Sequence, residues 1–171
     1  MKKVAVFPGR FQPLHLGHVH AIRQAMKKYK VIIVIGSTNK QDAENPFTFE
    51  QRKKMIRAVF GRGIKIIGVP DVYNDLKWVK SIEAKVKFDL AITGNEWSKR
   101  CFTKAGYKIV EPDLLEPEKY KATRIRNLIS KNQDWENLVP KEVSKLIKTF
   151  HLKRNKFSSP FSPLSNKNIF F

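Results

Sequence analysis

The chain has 171 residues, 42% of them apolar, which is enough to bury a core and excludes a disordered or fibrous polypeptide. Its longest apolar run, residues 31–35, is too short to cross a bilayer, and Met1-Lys-Lys runs into a strand with no signal-peptide pattern, so one cytoplasmic domain is expected. A net charge of +19 attracts polyanions, but the lysines are scattered without aromatic interleaving, which favours steering of phosphorylated small molecules over nucleic-acid binding. The single cysteine, Cys101, excludes an internal disulfide and a Cys-cluster zinc site.

In chain order, residues 4–7 form an apolar, β-branched run that predicts a short buried parallel strand, stopped by Pro8 and Gly9. Apolar spacing then turns helical at Leu16, Val19, Ile22, Met26 and Tyr29. Residues 31–35 predict a second buried strand, ended by Gly36 and Ser37, and residues 39–46 a polar loop. Thr48 and Gln51 are spaced as a capping box for a helix that buries Met55, Ile56, Val59 and Phe60 and stops at Gly61. Strands are predicted at 64–69, 88–93 and 107–110. Helices are predicted around Leu76, Val79, Ile82 and Val86, from the fourth strand to about Ala105 with Gly106 as stop, up to Ile129, at 134–138 and at 140–150. This alternation predicts an α/β fold: a Rossmann-like, doubly wound parallel sheet of about five strands with helices on both faces. Residues 151–171, rich in Ser, Pro, Asn, Lys and Phe without periodicity, read as a basic C-terminal tail whose Phe157, Phe161, Phe170 and Phe171 are candidates for docking.

The densest chemistry lies between the first strand and the first helix, where Arg10, Gln12, His15 and His18 are interspersed with Gly9 and Gly17. First-turn amides lack intrahelical partners and the macrodipole is positive there, and open parallel sheets bind ligands beyond the carboxyl ends of their strands. His15 and His18, three apart on one face, can both donate to a phosphate oxygen, with Gly17 allowing close backbone approach. The bland alternative is that one histidine caps the helix and the other is solvated.

The block from Gly9 to His18, Gly-Arg-Phe-Gln-Pro-Leu-His-Leu-Gly-His, resembles the signature of the His-x-Gly-His nucleotidyltransferases, and its Arg-Phe-Gln-Pro opening is similar to that of archaeal-type nicotinamide-nucleotide adenylyltransferases. The resemblance implies ATP binding by Gly9, Arg10, Phe11, Gln12, His15, Gly17 and His18, with Arg10, His15 and His18 catalytic. Class I aminoacyl-tRNA synthetases carry a like sequence but are excluded by size and by the lack of Lys-Met-Ser-Lys-Ser.

Four further blocks extend the likeness over about residues 1–150, the expected nucleotidyltransferase domain. In Glu44-Asn-Pro-Phe-Thr-Phe-Glu-Gln-Arg52, Arg52 near a helix N-terminus is poorly placed unless an anion partners it; a surface pair with Glu50 or Glu44 is the alternative. The block resembles the family's second motif, which implies an ATP or substrate phosphate on Arg52 and a substrate contact for Lys40. In the 71–79 segment, Trp78 falls four residues after Asn74, so an aromatic face suited to a pyridinium ring and an amide can approach one ligand, although a Trp at this spacing from Ile82 is ordinarily core. It resembles the family's nicotinamide-holding segment. In Thr93-Gly-Asn-Glu-Trp-Ser-Lys-Arg100, Asn95 keeps an amide for the substrate, while Gly94, Glu96 and Trp97 depart from the family's Thr/Ser-Asn-Asn-Pro. In Tyr120-Lys-Ala-Thr-Arg-Ile-Arg126, Thr123 is a plausible N-cap and Arg124 and Arg126 place cations in a first turn, an arrangement suited to β and γ phosphates. It resembles Ser-x-Thr-x-Ile-Arg with Lys121 in place of Ser, which implies ATP binding by Thr123 and a catalytic Arg126.

The activity so implied is adenylyl transfer from ATP, arriving with Mg²⁺, to nicotinamide mononucleotide, giving NAD and pyrophosphate, by a homo-oligomer and with no protein metal ligands. His15 and His18 would hold the α and β phosphates, Arg10 and Arg126 the leaving pyrophosphate, and Thr123 a terminal oxygen. The alternatives are a sister enzyme using a flavin mononucleotide or pantetheine phosphate, which would lack the Asn74/Trp78 pair, and a basic nucleic-acid-binding module, which leaves the histidine block unexplained.

Overall fold

The computed structural model describes residues 1–154, so the tail expected beyond that point lies outside the described residues. Strands β1 (Val4–Gly9), β2 (Lys30–Ile35), β3 (Lys65–Gly68), β4 (Leu90–Ile92) and β5 (Lys108–Val110) alternate with helices α1 (Leu16–Lys28), α2 (Phe49–Phe60), α3 (Asp75–Glu83) and α4 (Glu96–Lys104); α5 (Ala122–Ser130), a 3-10 turn (Glu136–Leu138) and α6 (Lys141–Arg154) follow. Every pairing is parallel, and the order β3-β2-β1-β4-β5 makes the chain step outward from β1 on one side and then return to build the other. The reversal between β1 and β4 is the switch point where such sheets open a crevice at their carboxyl ends.

Side chains alternate across the sheet, so the two faces carry separate cores. Ala5, Phe7, Val31, Ile33, Ile35, Leu90 and Ile92 pack beneath α1, α2, α5 and α6. Val6, Ile32, Val34 and Ala91 face Trp78, Val79 and Ile82 of α3 and Cys101 and Phe102 of α4. A sheet covered on both sides demands the near-continuous apolar runs seen in β1 and β2.

Local chemistry sets the element ends. Thr48 accepts from the Gln51 N–H at 3.2 Å while the Gln51 side chain accepts from the Thr48 N–H at 2.9 Å, closing the box that starts α2; Gly61, at φ +78°, ends it.

Several expectations need correction. Pro8 and Gly9 continue β1 instead of stopping it, because β4 pairs only as far as Val6 and the missing proline N–H falls beyond that ladder. The buried stripe of α1 is Val19, Ala21, Ile22 and Ala25, and Met26 is 39% exposed: alanines let the helix sit close to the sheet, and a count of large residues passes over them. Leu76, in the first turn of α3, is 46% exposed. The last helix runs from Lys141 to Arg154, past the expected end at 150.

Candidate active site

A cavity of about 710 Å³ opens at the carboxyl ends of the central strands. Its floor is the end of β1 and the following loop, with Gly9, Arg10, His15, Gly17 and His18 on the wall; Gly36 and Ser37 come from the end of β2, residues 71–73 from the end of β3, and residues 93–95 from the end of β4. Trp78 and Trp97 form an aromatic side, and Pro112, Leu114, Leu115, Pro117 and Tyr120 bring the segment between β5 and α5 over the remaining side. That aperiodic last segment carried no sequence signal for a wall.

The two histidines do both things once set against each other. His15 is the N-cap of α1: its Nδ1 accepts from the His18 N–H at 3.2 Å, and the His18 Nδ1 accepts from the His15 N–H at 3.4 Å, a capping box made of imidazoles. Their rings stack at 3.5 Å and 22°. Burial lowers the His15 pKa to about 4, and burial followed by the charge of His15 holds His18 well below its ordinary value, so both are neutral at pH 7. With each Nδ1 committed as an acceptor, the proton of each ring is assigned to Nε2, leaving two neutral N–H donors at the cavity wall. Gly17 serves a different purpose from the expected backbone approach to phosphate: a Cβ there would lie 2.8 Å from Cβ of Tyr120 and 3.2 Å from the His15 ring, so its smallness lets α1 and the β5–α5 segment meet.

Arg10 lines the cavity half-exposed, 3.5 Å from Glu44. Other members of the first motif lie behind the wall. Phe11, 1% exposed and at φ +51°, packs into the core against the His18 ring at 5.0 Å. Gln12 exchanges two 2.9 Å hydrogen bonds with the backbone N–H and carbonyl of Phe47. Neither reaches the cavity.

Three arginine and threonine expectations also need correction. Arg52 is fully buried, donating to the carbonyls of Arg10 at 2.8 Å, Gly36 at 2.7 Å, Ser37 at 3.3 Å and Thr48 at 3.4 Å, and meets neither the cavity nor Glu44 or Glu50. Arg126 is buried, donating to the Gln12 carbonyl at 2.9 Å and to Thr123 Oγ1 at 3.2 Å, so it stands behind the cavity wall. Burial first and the nearby charge of Arg10 second lower its pKa. Thr123 is exposed and already inside α5, whose N-cap is Lys121 without a side-chain cap.

On the aromatic side, Trp78 is 3% exposed and edged by Trp97 at 4.8 Å and Phe102 at 5.4 Å, yet it reaches the cavity wall, and its buried indole N–H has no partner among the described residues. Asn74 does not line the cavity: its Oδ1 caps α3 by accepting from the Lys77 N–H at 2.9 Å. Asn95 does line it, while capping α4 through the Ser98 N–H at 3.0 Å. Lys40 does not line the cavity; its Nζ lies 3.1 Å from Asp71, whose hydrogen bond and charge raise the lysine pKa. Asp71, absent from the expected site, faces the cavity and also accepts from Ser37 Oγ at 2.9 and 3.0 Å. Among the described residues no three His, Cys, Asp or Glu side chains cluster.

A switch-point crevice lined by two imidazoles at a helix N-terminus and by an arginine from the preceding loop is the kind of place where α/β proteins bind nucleotides. The sequence model of the cytidylyltransferase-like family matches residues 6–159, and the chain belongs to that family. It is 38% identical over 156 residues to the nicotinamide-nucleotide adenylyltransferase of Pyrobaculum aerophilum, covering 85% of this chain and 88% of that one. To the enzyme of the same name from Saccharolobus solfataricus it is 37% identical over 151 residues, covering 83% and 88%. Among solved structures, a bifunctional NMN adenylyltransferase/ADP ribose pyrophosphatase from Francisella tularensis, complexed with AMP and Mn ion, matches with a TM-score of 0.68 and 25% identity over 95% of this chain. This chain spans 58% of that one.

Proposed function

We propose that the protein transfers the adenylyl group of MgATP to nicotinamide mononucleotide, releasing pyrophosphate and forming NAD. The observation that carries this reading is the stacked His15–His18 pair at the α1 N-terminus, each Nδ1 committed as an acceptor, lining one cavity together with Arg10 and an aromatic side. The 5′-phosphate oxygen of the mononucleotide attacks the α-phosphorus of ATP; the new P–O bond forms as the bond from the α-phosphorus to the bridging oxygen of pyrophosphate breaks, and that electron pair leaves with the pyrophosphate. The nucleophile is already anionic at pH 7, so the protein's part is positioning and charge stabilisation, without a strong base.

His15 and His18 hold the α and β phosphates through Nε2–H, Arg10 neutralises the leaving pyrophosphate, and Arg126 adds positive charge from behind the loop. Trp78 borders the nicotinamide with its ring. The reading carries with it a homo-oligomeric, cytoplasmic enzyme; among the described residues no helix is long and apolar enough to cross a membrane.

The test incubates the purified chain with ATP, Mg²⁺ and, separately, nicotinamide mononucleotide, a flavin mononucleotide and pantetheine phosphate, and measures pyrophosphate. Release with the first alone is expected; release only with another acceptor reassigns the substrate, and none with any of them defeats the reading. His18→Ala is expected to lower kcat by about a hundredfold or more while binding of the mononucleotide changes little.

A further inference from the structure

Among the described residues Arg52 is the largest fully buried side chain, and every hydrogen bond it makes there goes to a backbone carbonyl. Burial of an arginine without a carboxylate in contact is expensive and calls for a reason. The carbonyls it chooses supply one. Phe11 and Ser37 are two of the four non-glycine residues with positive φ among the described residues, at +51° and +52°, and they follow the ends of β1 and β2. Arg52 Nη1 holds the carbonyls of Arg10 and Gly36, each belonging to the peptide plane immediately before one of these residues, and Nη2 holds the carbonyl of Ser37 itself.

Residues with a Cβ remain in the left-handed region only where their surroundings over-determine them. One planar guanidinium reaching three carbonyls on two strand ends is such a device. Both gripped segments then turn side chains into the cavity: Arg10 itself, and Ser37, which fixes Asp71. Burial lowers the Arg52 pKa to about 10, which leaves the group charged at neutral pH.

We infer that Arg52 is a positioning residue that locks the β1 and β2 ends in their left-handed turns and so aims Arg10 and Ser37 at the substrates, without touching phosphate. The inference rests on the proposed adenylyl transfer for its kinetic readout and on backbone geometry for a readout independent of it. Arg52→Lys keeps the charge and loses the planar fork; Arg52→Gln loses both.

In the full chain, each variant is assayed for kcat and for KM of ATP and nicotinamide mononucleotide, beside a thermal melt. Both variants are expected to melt cooperatively above the assay temperature and to lose about tenfold or more in kcat, with KM for the mononucleotide within about twofold and Lys rescuing no better than Gln. A Lys variant keeping more than about half of the wild-type kcat overturns the inference, since charge alone would then suffice. So does loss of cooperative melting in both variants, which makes Arg52 a support of the whole fold. A crystal structure of either variant gives the second readout: Phe11 and Ser37 are expected to leave positive φ. Values still near +51° and +52° overturn the inference even if the wild-type chain proves inactive with these substrates, an outcome that would defeat the adenylyl-transfer reading by itself.

Discussion

A histidine held neutral by burial leaves a mark on stability as well as on chemistry. His15 titrates near 4 in the folded chain against an ordinary 6.5 in the unfolded one, so above pH 6.5 both states are neutral and nothing is lost. Below 6.5 the unfolded chain takes up a proton that the folded one refuses, and stability drains away until about pH 4, by about 3 kcal/mol for this group. His18, depressed in the same direction, adds to the loss in the same sense. Asp75, drawn down to about 2 by hydrogen bonds from Lys104 and then Arg100, acts in a separate window: its contribution is lost only as pH falls from 3.8 toward 2. Thermal melts from pH 8 to 4 are therefore expected to show a falling midpoint below 6.5, and His15→Asn, which keeps a capping acceptor, should flatten that fall. Unchanged slopes in the variant would refute neutral burial as the cause. Arg10 presents a different balance, since its partner Glu44 lies 3.5 Å away and both are well exposed, so a triphosphate competes with a weak pair. Glu44→Gln is expected to lower KM for ATP by about twofold, read from initial-rate kinetics.

Between elements, the tightest constraint is where α1 starts against the β5–α5 segment. Gly17→Ala would set a methyl 2.8 Å from Cβ of Tyr120, a contact between groups that cannot swing aside, so either the segment lifts or the His15 ring turns. The expected result is a stability loss of about 1–3 kcal/mol in a denaturant titration, together with a kcat lower than that of a comparably destabilised variant elsewhere. A variant of wild-type kcat would dissociate Gly17 from the site. Thr48→Ala offers that comparison: it removes one side of the α2 capping box at a residue that does not line the cavity, keeps the backbone carbonyl that Arg52 uses, and should cost about 1 kcal/mol with a smaller effect on kcat. The Thr48 box was legible in the sequence because capping chemistry is settled within four residues. Arg52 was not. Its position in the first turn of α2 argued for an anion, and the carbonyls that answer it come from residues 10, 36 and 37, whose convergence is a property of the sheet order. Asn74 and Trp78 are likewise parted by tertiary placement, since Trp78 lines the cavity and Asn74, the N-cap of α3, does not.

For the whole molecule, topology was the most readable level: apolar runs alternating with amphipathic ones left little freedom once right-handed crossovers were required, and all five strands fell within two residues of their expected ends. The cavity was less so, because the segment between β5 and α5 has no periodicity to announce that it would close one side. Charge is the other property at this scale. A net +19 spread over the surface gives a long-range pull on any polyanionic substrate, whereas the phosphate donors at the site act at contact distance. Salt separates the two, since raising ionic strength from about 0.01 M to about 0.1 M shortens the screening length from about 30 Å to about 10 Å while leaving contact hydrogen bonds in place. The expected outcome is a fall of about tenfold in kcat/KM for ATP over that range, with kcat held within about twofold. A kcat/KM insensitive to salt would mean that the lysine surface does no steering, and that its charge belongs to some partner other than the nucleotide.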